Sequence, residues 1–336
     1  MILLVFVIFF LAAALTVYTA MKLSEYADVI SEKTTMGGMI VGTILLAGAT
    51  SLPEVTTSFS AVVIGNIDIA IGNMLGSNLF NLLILAVFDL LYRRRQLYHQ
   101  AGRSHLFSAV LGLFLMLVVT LALFLRIDYT IIGIGVDALL VLLIYIIGMV
   151  IISRLPSAPE PTEALMGDGP ETETNEPAKD MSIKKAVIGF IIAAIAILLA
   201  GTVLSITGDQ IAVITGMGSS FVGSFLIAAT TSLPEAVSVY AALRLKNMNL
   251  AVGSILGSNM FNMIILAISD AVYQGGSILA DVSQSNVYTG IAITLLSAVL
   301  IWALLRKRSA SLWTYSIPSM ITVIGYFIVS YLLFQG

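Results

Sequence analysis

The chain has 336 residues, 59% of them AVILMFWYC and 10% charged, with a mean hydropathy of +1.03, whereas a soluble domain carries roughly 25% charged residues. That balance places the chain in a membrane, and a net charge of −3 with a single short basic run, Arg93 to Arg95, gives no footprint for nucleic acid. The absence of cysteine excludes disulfides, thiolate metal sites and iron–sulfur chemistry.

Apolar runs of about 20 residues, enough to cross roughly 30 Å of hydrocarbon as a helix, recur throughout. Helices rather than barrel strands are expected, because each satisfies its own backbone. In chain order the expected spans are 2–20, 36–64, 69–91, 105–125, 129–152, 184–206, 218–243, 249–273, 286–305 and 311–334, ten in all. The first lacks a basic n-region and a small-residue cleavage site, so it reads as a retained helix and not a signal peptide. Between the fifth and sixth lies the polar stretch 154–183, with five prolines and seven carboxylates from Glu160 to Asp180. It cannot bury enough apolar surface to fold and reads as a solvated linker. The division is a five-helix unit at 1–153, the linker at 154–183 and a second five-helix unit at 184–336. Alternate loops hold Lys and Arg in a ratio of 15 to 1, which predicts a multi-pass cell-membrane protein with a cytoplasmic linker and both termini outside.

The two units carry one phrase. At a constant offset of 181, residues 42–89 match 223–270 at 22 of 48 positions without a gap. The repeat motifs, 42–90 and 223–271, are therefore an internal duplication. Five helices is an odd number, so the second copy enters the membrane from the opposite side, and the fold class is all-α, ten transmembrane helices as two inverted five-helix repeats. Sites in such architectures lie near the midplane where the repeats meet.

Within each copy sits Thr-Ser-Leu-Pro-Glu, at 50–54 and 231–235. A carboxylate at midspan costs at least about 2.5 kcal/mol, and no intramembrane Lys or Arg is placed to pair with Glu54 or Glu235. A mobile cation is the natural counter-charge; the alternative is a hydrogen-bonded core glutamate. Pro53 and Pro234 have no N–H and clash with the carbonyl four residues back, so both helices should break there and free carbonyls near Ala49, Thr50, Thr230 and Thr231. Thr50, Ser51 and Glu54 share one side at helical spacing, as do Thr231, Ser232 and Glu235. Hard oxygens without His or Cys suit Ca2+, Mg2+ or Na+. The companion GSNxFN puts Ser77 with Asn81, and Ser258 with Asn262, four apart on the following helices. Gly72 and Gly76 stand at GxxxG packing distance beside them. Gly37, Gly38 and Gly42 are read as packing glycines, Asp89 and Asp270 as interfacial caps, Asp137 as hydrated, and His99 and His105 as ordinary interfacial residues.

At these motifs the chain resembles the sodium/calcium exchanger branch of the calcium/cation antiporter superfamily, and the resemblance covers nearly its whole length. It implies a protein that is not an enzyme and needs no cofactor, exchanging Ca2+ for Na+ by alternating access, the first and sixth helices sliding across the other eight. Glu54 and Glu235 would chelate Ca2+ with carbonyls of Thr50 and Thr231. The Na+ sites would draw on Ala47, Ser51, Ser77, Ala228, Ser232 and Ser258, and Asn81 and Asn262 would line the centre. The chain departs from the branch in carrying Asn262 where Asp is frequent, and Ala49 and Thr230 where Gly is frequent. The rivals are an H+/Ca2+ exchanger using the same glutamates, a cation channel and, as an enzyme, an intramembrane hydrolase, for which no nucleophile and base pair is evident. The expected partners are the ions and membrane lipid, and the expected state is a monomer.

Overall fold

The computed structural model describes residues 2–33, 49–102, 104–154, 181–306 and 311–335. The first half contributes α1 (Ile2–Lys33), α2 (Leu52–Val63), α3 (Ile67–Leu91), α4 (Ser104–Leu125) and α5 (Val136–Arg154). The second contributes α6 (Ile183–Thr215), α7 (Ser219–Thr231), α8 (Leu233–Arg244), α9 (Met248–Val272), α10 (Ser285–Leu305) and α11 (Leu312–Gln335). Among the described residues eight helices are long and apolar enough to cross a membrane, and α7 with α8, bent by 40° at the break, passes the same test as a pair. Of the expected span 36–64, the described part is Ala49 to Ile64, with α2 its main element. Gly37, Gly38, Gly42 and Ala47 lie outside the described residues, as does nearly all of the 154–183 linker.

The duplication reaches beyond the motifs. Residues 181 apart mark corresponding boundaries in every repeat pair: Ile2 and Ile183, Leu52–Val63 and Leu233–Arg244, Ile67–Leu91 and Met248–Val272, Ser104 and Ser285, Arg154 and Gln335. Local chemistry repeats with them. Asn66 caps α3 by accepting the Ile69 N–H at 3.1 Å, and Asn247 caps α9 by accepting that of Leu250 at 2.9 Å. The preceding turn is left-handed at Gly65 (φ 84°) and at its equivalent Lys246 (φ 60°).

Three boundaries differ from expectation. α1 and α6 run to 32 and 33 residues, because the polar stretch after residue 20 is built of helix formers, with Lys22 and Glu25 paired at 2.7 Å on one face. α5 starts at Val136 and not at 129, since β1 (Thr130–Ile131) and β2 (Ile134–Gly135) pair antiparallel around Ile132 and Gly133. Both turn residues have positive φ, 55° and 79°, the geometry that matches the twist of a tight hairpin.

α3 and α9 form the centre. In each, 67% of the most apolar stretch is buried, against 11–39% in the other spanning helices, whose exposed Leu, Ile and Phe side chains suit lipid. Around that centre, α1 packs chiefly on α6 along its length, and α6 on α2. α3 also meets α7 at backbone range: a Cβ on Gly72 would lie 2.9 Å from the Ser220 carbonyl, and one on Gly76 would overlap the Ser224 backbone. At this contact α7 widens into a π-helical turn, Val222–Ile227.

Candidate ion site

The prolines mark the breaks that the sequence implies. Pro53 and Pro234 are the second residues of α2 and α8, where a missing N–H costs nothing. Ser51 and Ser232 precede them with nearly identical backbone angles, φ −92° and −90°, ψ 2° and 4°. Each break makes a fresh helix N-terminus, and Glu54 and Glu235 stand in its first turn. A helix N-terminus favours a carboxylate by about 0.3–2 kcal/mol. That does not match the several kcal/mol per ion that burial costs, and both side chains are buried, 0% and 1% exposed. No ion pair among the described residues involves either glutamate.

Polar side chains from both halves surround the pair. Glu54 Oε1 accepts from Ser232 Oγ at 3.4 Å, and Glu235 Oε1 from Ser258 Oγ at 3.3 Å. The first bond crosses the repeats and the second stays within one, so the site is not strictly symmetric. Ser77 Oγ lies 3.4 Å from Thr231 Oγ1, which donates to Asn73 Oδ1 at 3.2 Å. Asn73 in turn donates to Ser58 Oγ at 2.9 Å. The Ala228 carbonyl is buried and accepts the Ser232 N–H at 3.0 Å, so α7 stays helical up to its break. Ser51 is buried and Thr50 half-buried beside Glu54 in sequence. Ala47 is the one expected ligand outside the described residues.

Where α3 crosses α9 the contacts are reciprocal. Asn78 Nδ2 donates to the Asn259 carbonyl at 3.3 Å, and Asn259 Nδ2 to the Asn78 carbonyl at 3.5 Å. Asn81 Nδ2 donates to Asn259 Oδ1, and its equivalent Asn262 Nδ2 to Asn78 Oδ1, both at 2.9 Å. Exchange of this kind is the mark of a two-fold relation. It leaves each amide of Asn81 and Asn262 pinned by its nitrogen, with the oxygen spare. Among the described residues, four buried oxygens of the cluster have no hydrogen-bond partner: Glu54 Oε2, Glu235 Oε2, Asn81 Oδ1 and Asn262 Oδ1. They form two pairs of repeat equivalents, all hard acceptors. A buried acceptor left bare costs about 1–3 kcal/mol, and hard acceptors of this kind suit a small cation.

Sequence reasoning omitted Asn73, Asn78 and Asn259. The signal for the last two was available, since both are polar residues inside a span and identical in the two copies. Asp89 and Asp270 stand near the C-terminal ends of α3 and α9, and both are fully buried. Asp89 accepts from Tyr315 and Ser319, and Asp270 from the N–H groups of Gly135 at 2.6 Å and Ile278 at 2.7 Å. They tie the ends of the central helices to the outer ones. Asp137 is half-buried and accepts from Ser277 Oγ at 2.7 Å. His99 is half-buried, its ring 5.2 Å from that of Tyr315.

Solved structures share this architecture. An H+/Ca2+ exchanger, CAX, aligns with a TM-score of 0.69 at 12% identity over 98% of this chain and 86% of its own. The sodium-calcium exchanger NCX_Mj, soaked with 2.5 mM Na+ and 0.1 mM Ca2+, aligns at 0.57 and 21% identity over 98% of each chain. Both place the chain in the fold of membrane cation exchangers. The sodium/calcium exchanger protein family matches it twice, over residues 4–154 and 185–335, and the chain belongs to that family, within the calcium/cation antiporter superfamily. Inner membrane protein YrbG of Escherichia coli (strain K12) is 25% identical over 288 residues, 86% of either chain.

Proposed function

We propose that the chain is a secondary active antiporter of the cell membrane that exchanges Ca2+ for Na+ by alternating access. The carrying observation is the quartet of unpartnered oxygens on Glu54, Glu235, Asn81 and Asn262, supplied in equal shares by the two repeats. Two carboxylates supply −2, which one Ca2+ neutralises and which Na+ must bind in numbers to match. Competition for shared oxygens then couples the fluxes, because the empty site leaves two buried carboxylates uncompensated and that state rarely crosses. Thr50 and Thr231 add carbonyls to the Ca2+ site, while Ala47, Ser51, Ser77, Ala228, Ser232 and Ser258 serve Na+.

The repeats, 1–153 and 184–336, are inverted about the Asn78–Asn259 crossing, with the 154–183 linker cytoplasmic and both termini outside. The mutual packing of α1 and α6 supports a pair that slides as one body over the remaining helices. A monomer is sufficient, because every proposed ligand comes from one chain. One observation favours a second reading, H+/Ca2+ exchange: with neutral amides at both Asn81 and Asn262, two protons balance the glutamates as well as one Ca2+ does.

Radioactive 45Ca2+ uptake into proteoliposomes preloaded with Na+, K+ or choline, with and without a pH gradient, separates the two. Uptake driven by internal Na+ alone supports the first reading. Uptake driven by the pH gradient alone replaces it with the second, and uptake independent of any counter-ion contradicts both.

A further inference from the structure

A cavity of about 800 Å3, lined by neither glutamate, opens where the connection from α3 to α4 meets the end of α10. Its polar wall includes Arg94, Arg95, His99 and Arg306, and its apolar wall Leu106, Leu304 and Leu305. No Asp or Glu is among its described lining residues. The nearby acid Asp89 is fully buried, its two oxygens taken by Tyr315 and Ser319.

Two of the guanidinium groups, those of Arg95 and Arg306, are anchored. Arg95 Nη1 donates to the Leu243 carbonyl at 3.1 Å, and its plane sits 5.4 Å from the Tyr92 ring. Arg306 Nη1 donates to the Thr314 carbonyl at 2.9 Å and lies 4.9 Å from the Trp302 ring. Each guanidinium has five N–H donors, so a single anchoring bond leaves most of them for a ligand. Both anchored guanidiniums line this one cavity, and arginine binds phosphate oxygens bidentately. The backbone beneath them is braced as well: Tyr98 N–H donates to Tyr315 Oη at 3.2 Å and Gly102 N–H to Asn249 Oδ1 at 2.6 Å.

We propose that this cavity binds the phosphate of an anionic phospholipid headgroup. The apolar wall points to lipid and not to free phosphate. Leu305 is 62% and Trp302 43% exposed on the outer face of α10, where acyl chains would run while the headgroup reaches the arginines. Basic pockets between helix ends are a recurrent mode of headgroup recognition. Occupancy would also brace Arg95 against Leu243, in the last turn of α8, the helix whose first turn carries Glu235.

Native mass spectrometry of the full chain in detergent tests this, with phosphatidylglycerol, phosphatidylcholine and inorganic phosphate offered in separate arms. The wild type should retain phosphatidylglycerol in preference to phosphatidylcholine, and R94Q/R95Q/R306Q should lose about tenfold or more of that retention. R94Q alone, an exposed substitution, should lose severalfold and keeps the test valid if the triple variant fails to fold. Equal phosphatidylglycerol retention by wild type and R94Q/R95Q/R306Q, or by wild type and R94Q where the triple variant does not fold, would overturn the site. Binding of inorganic phosphate with no preference between the two lipids would overturn the lipid source.

Discussion

Glu54 and Glu235 were legible in the sequence because a carboxylate at midspan is too costly to be incidental. Asn78 and Asn259 were not, although they stand in the same motif. Ser77 and Asn81 share a helix face at four-residue spacing, and reading that face sets Asn78 aside. α3 and α9, however, are two-thirds buried over their most apolar stretch, more than one face of each is covered, and the crossing places the neglected amides in contact with each other's helix. This gives Asn262 a defined role: its nitrogen is held by Asn78 and its oxygen is spare. N262D adds a third titratable carboxylate, and exchange should persist while gaining a pH dependence or a changed Na+ dependence, read by flux across a pH series. N262A should weaken Na+ competition more than Ca2+ binding in equilibrium titrations; the reverse order would refute the assignment. A smaller effect belongs to Lys246, which holds the left-handed turn that Gly65 holds in the first copy. Left-handed backbone costs a residue with a Cβ roughly 1–2 kcal/mol, so K246G should raise thermal stability in detergent without altering transport.

At the scale of elements, the two breaks were readable from proline and the close approach of α3 from Gly72 and Gly76, but the partner was not. That partner is the π-helical turn of α7, and no side-chain pattern marks a π-helix in advance. Its consequence is steric. A Cβ at Gly76 would overlap the Ser224 backbone, which cannot swing aside as a side chain can, so G76A should destabilise the fold by about 1–3 kcal/mol. Gly112 is the control. Its nearest neighbour is the flexible Met260 side chain at 3.8 Å, and an interior helical glycine is about 0.5–1 kcal/mol worse than alanine, so G112A should be neutral or stabilising. Thermal unfolding of both variants in one detergent checks the contrast. The hairpin before α5 was hidden for another reason: Thr130 to Gly135 is as apolar as the helix it precedes, and composition does not separate the two.

For the whole molecule, identity at the 181 offset is read over residues 42–89, which hold the buried polar cluster. Elsewhere any apolar side chain serves a lipid-facing helix, so identity drifts, while at least one boundary of each repeat pair keeps its spacing. The 181-residue offset therefore survives from Ile2 to Gln335 in the helix boundaries after it has faded from the letters. Orientation rests on the asymmetry of basic residues, and a cysteine label introduced at 160–178 should react only from the cytoplasmic side of intact cells; labelling from outside would invert the assignment. The central claim is that one buried site, shared by both repeats, carries both ions. Its most direct test is Na+-driven 45Ca2+ uptake by wild type, E54Q and E235Q reconstituted side by side after each is shown to be monodisperse. Uptake in the wild type and none in either variant is the expected result; wild-type exchange in either glutamine variant would contradict the account.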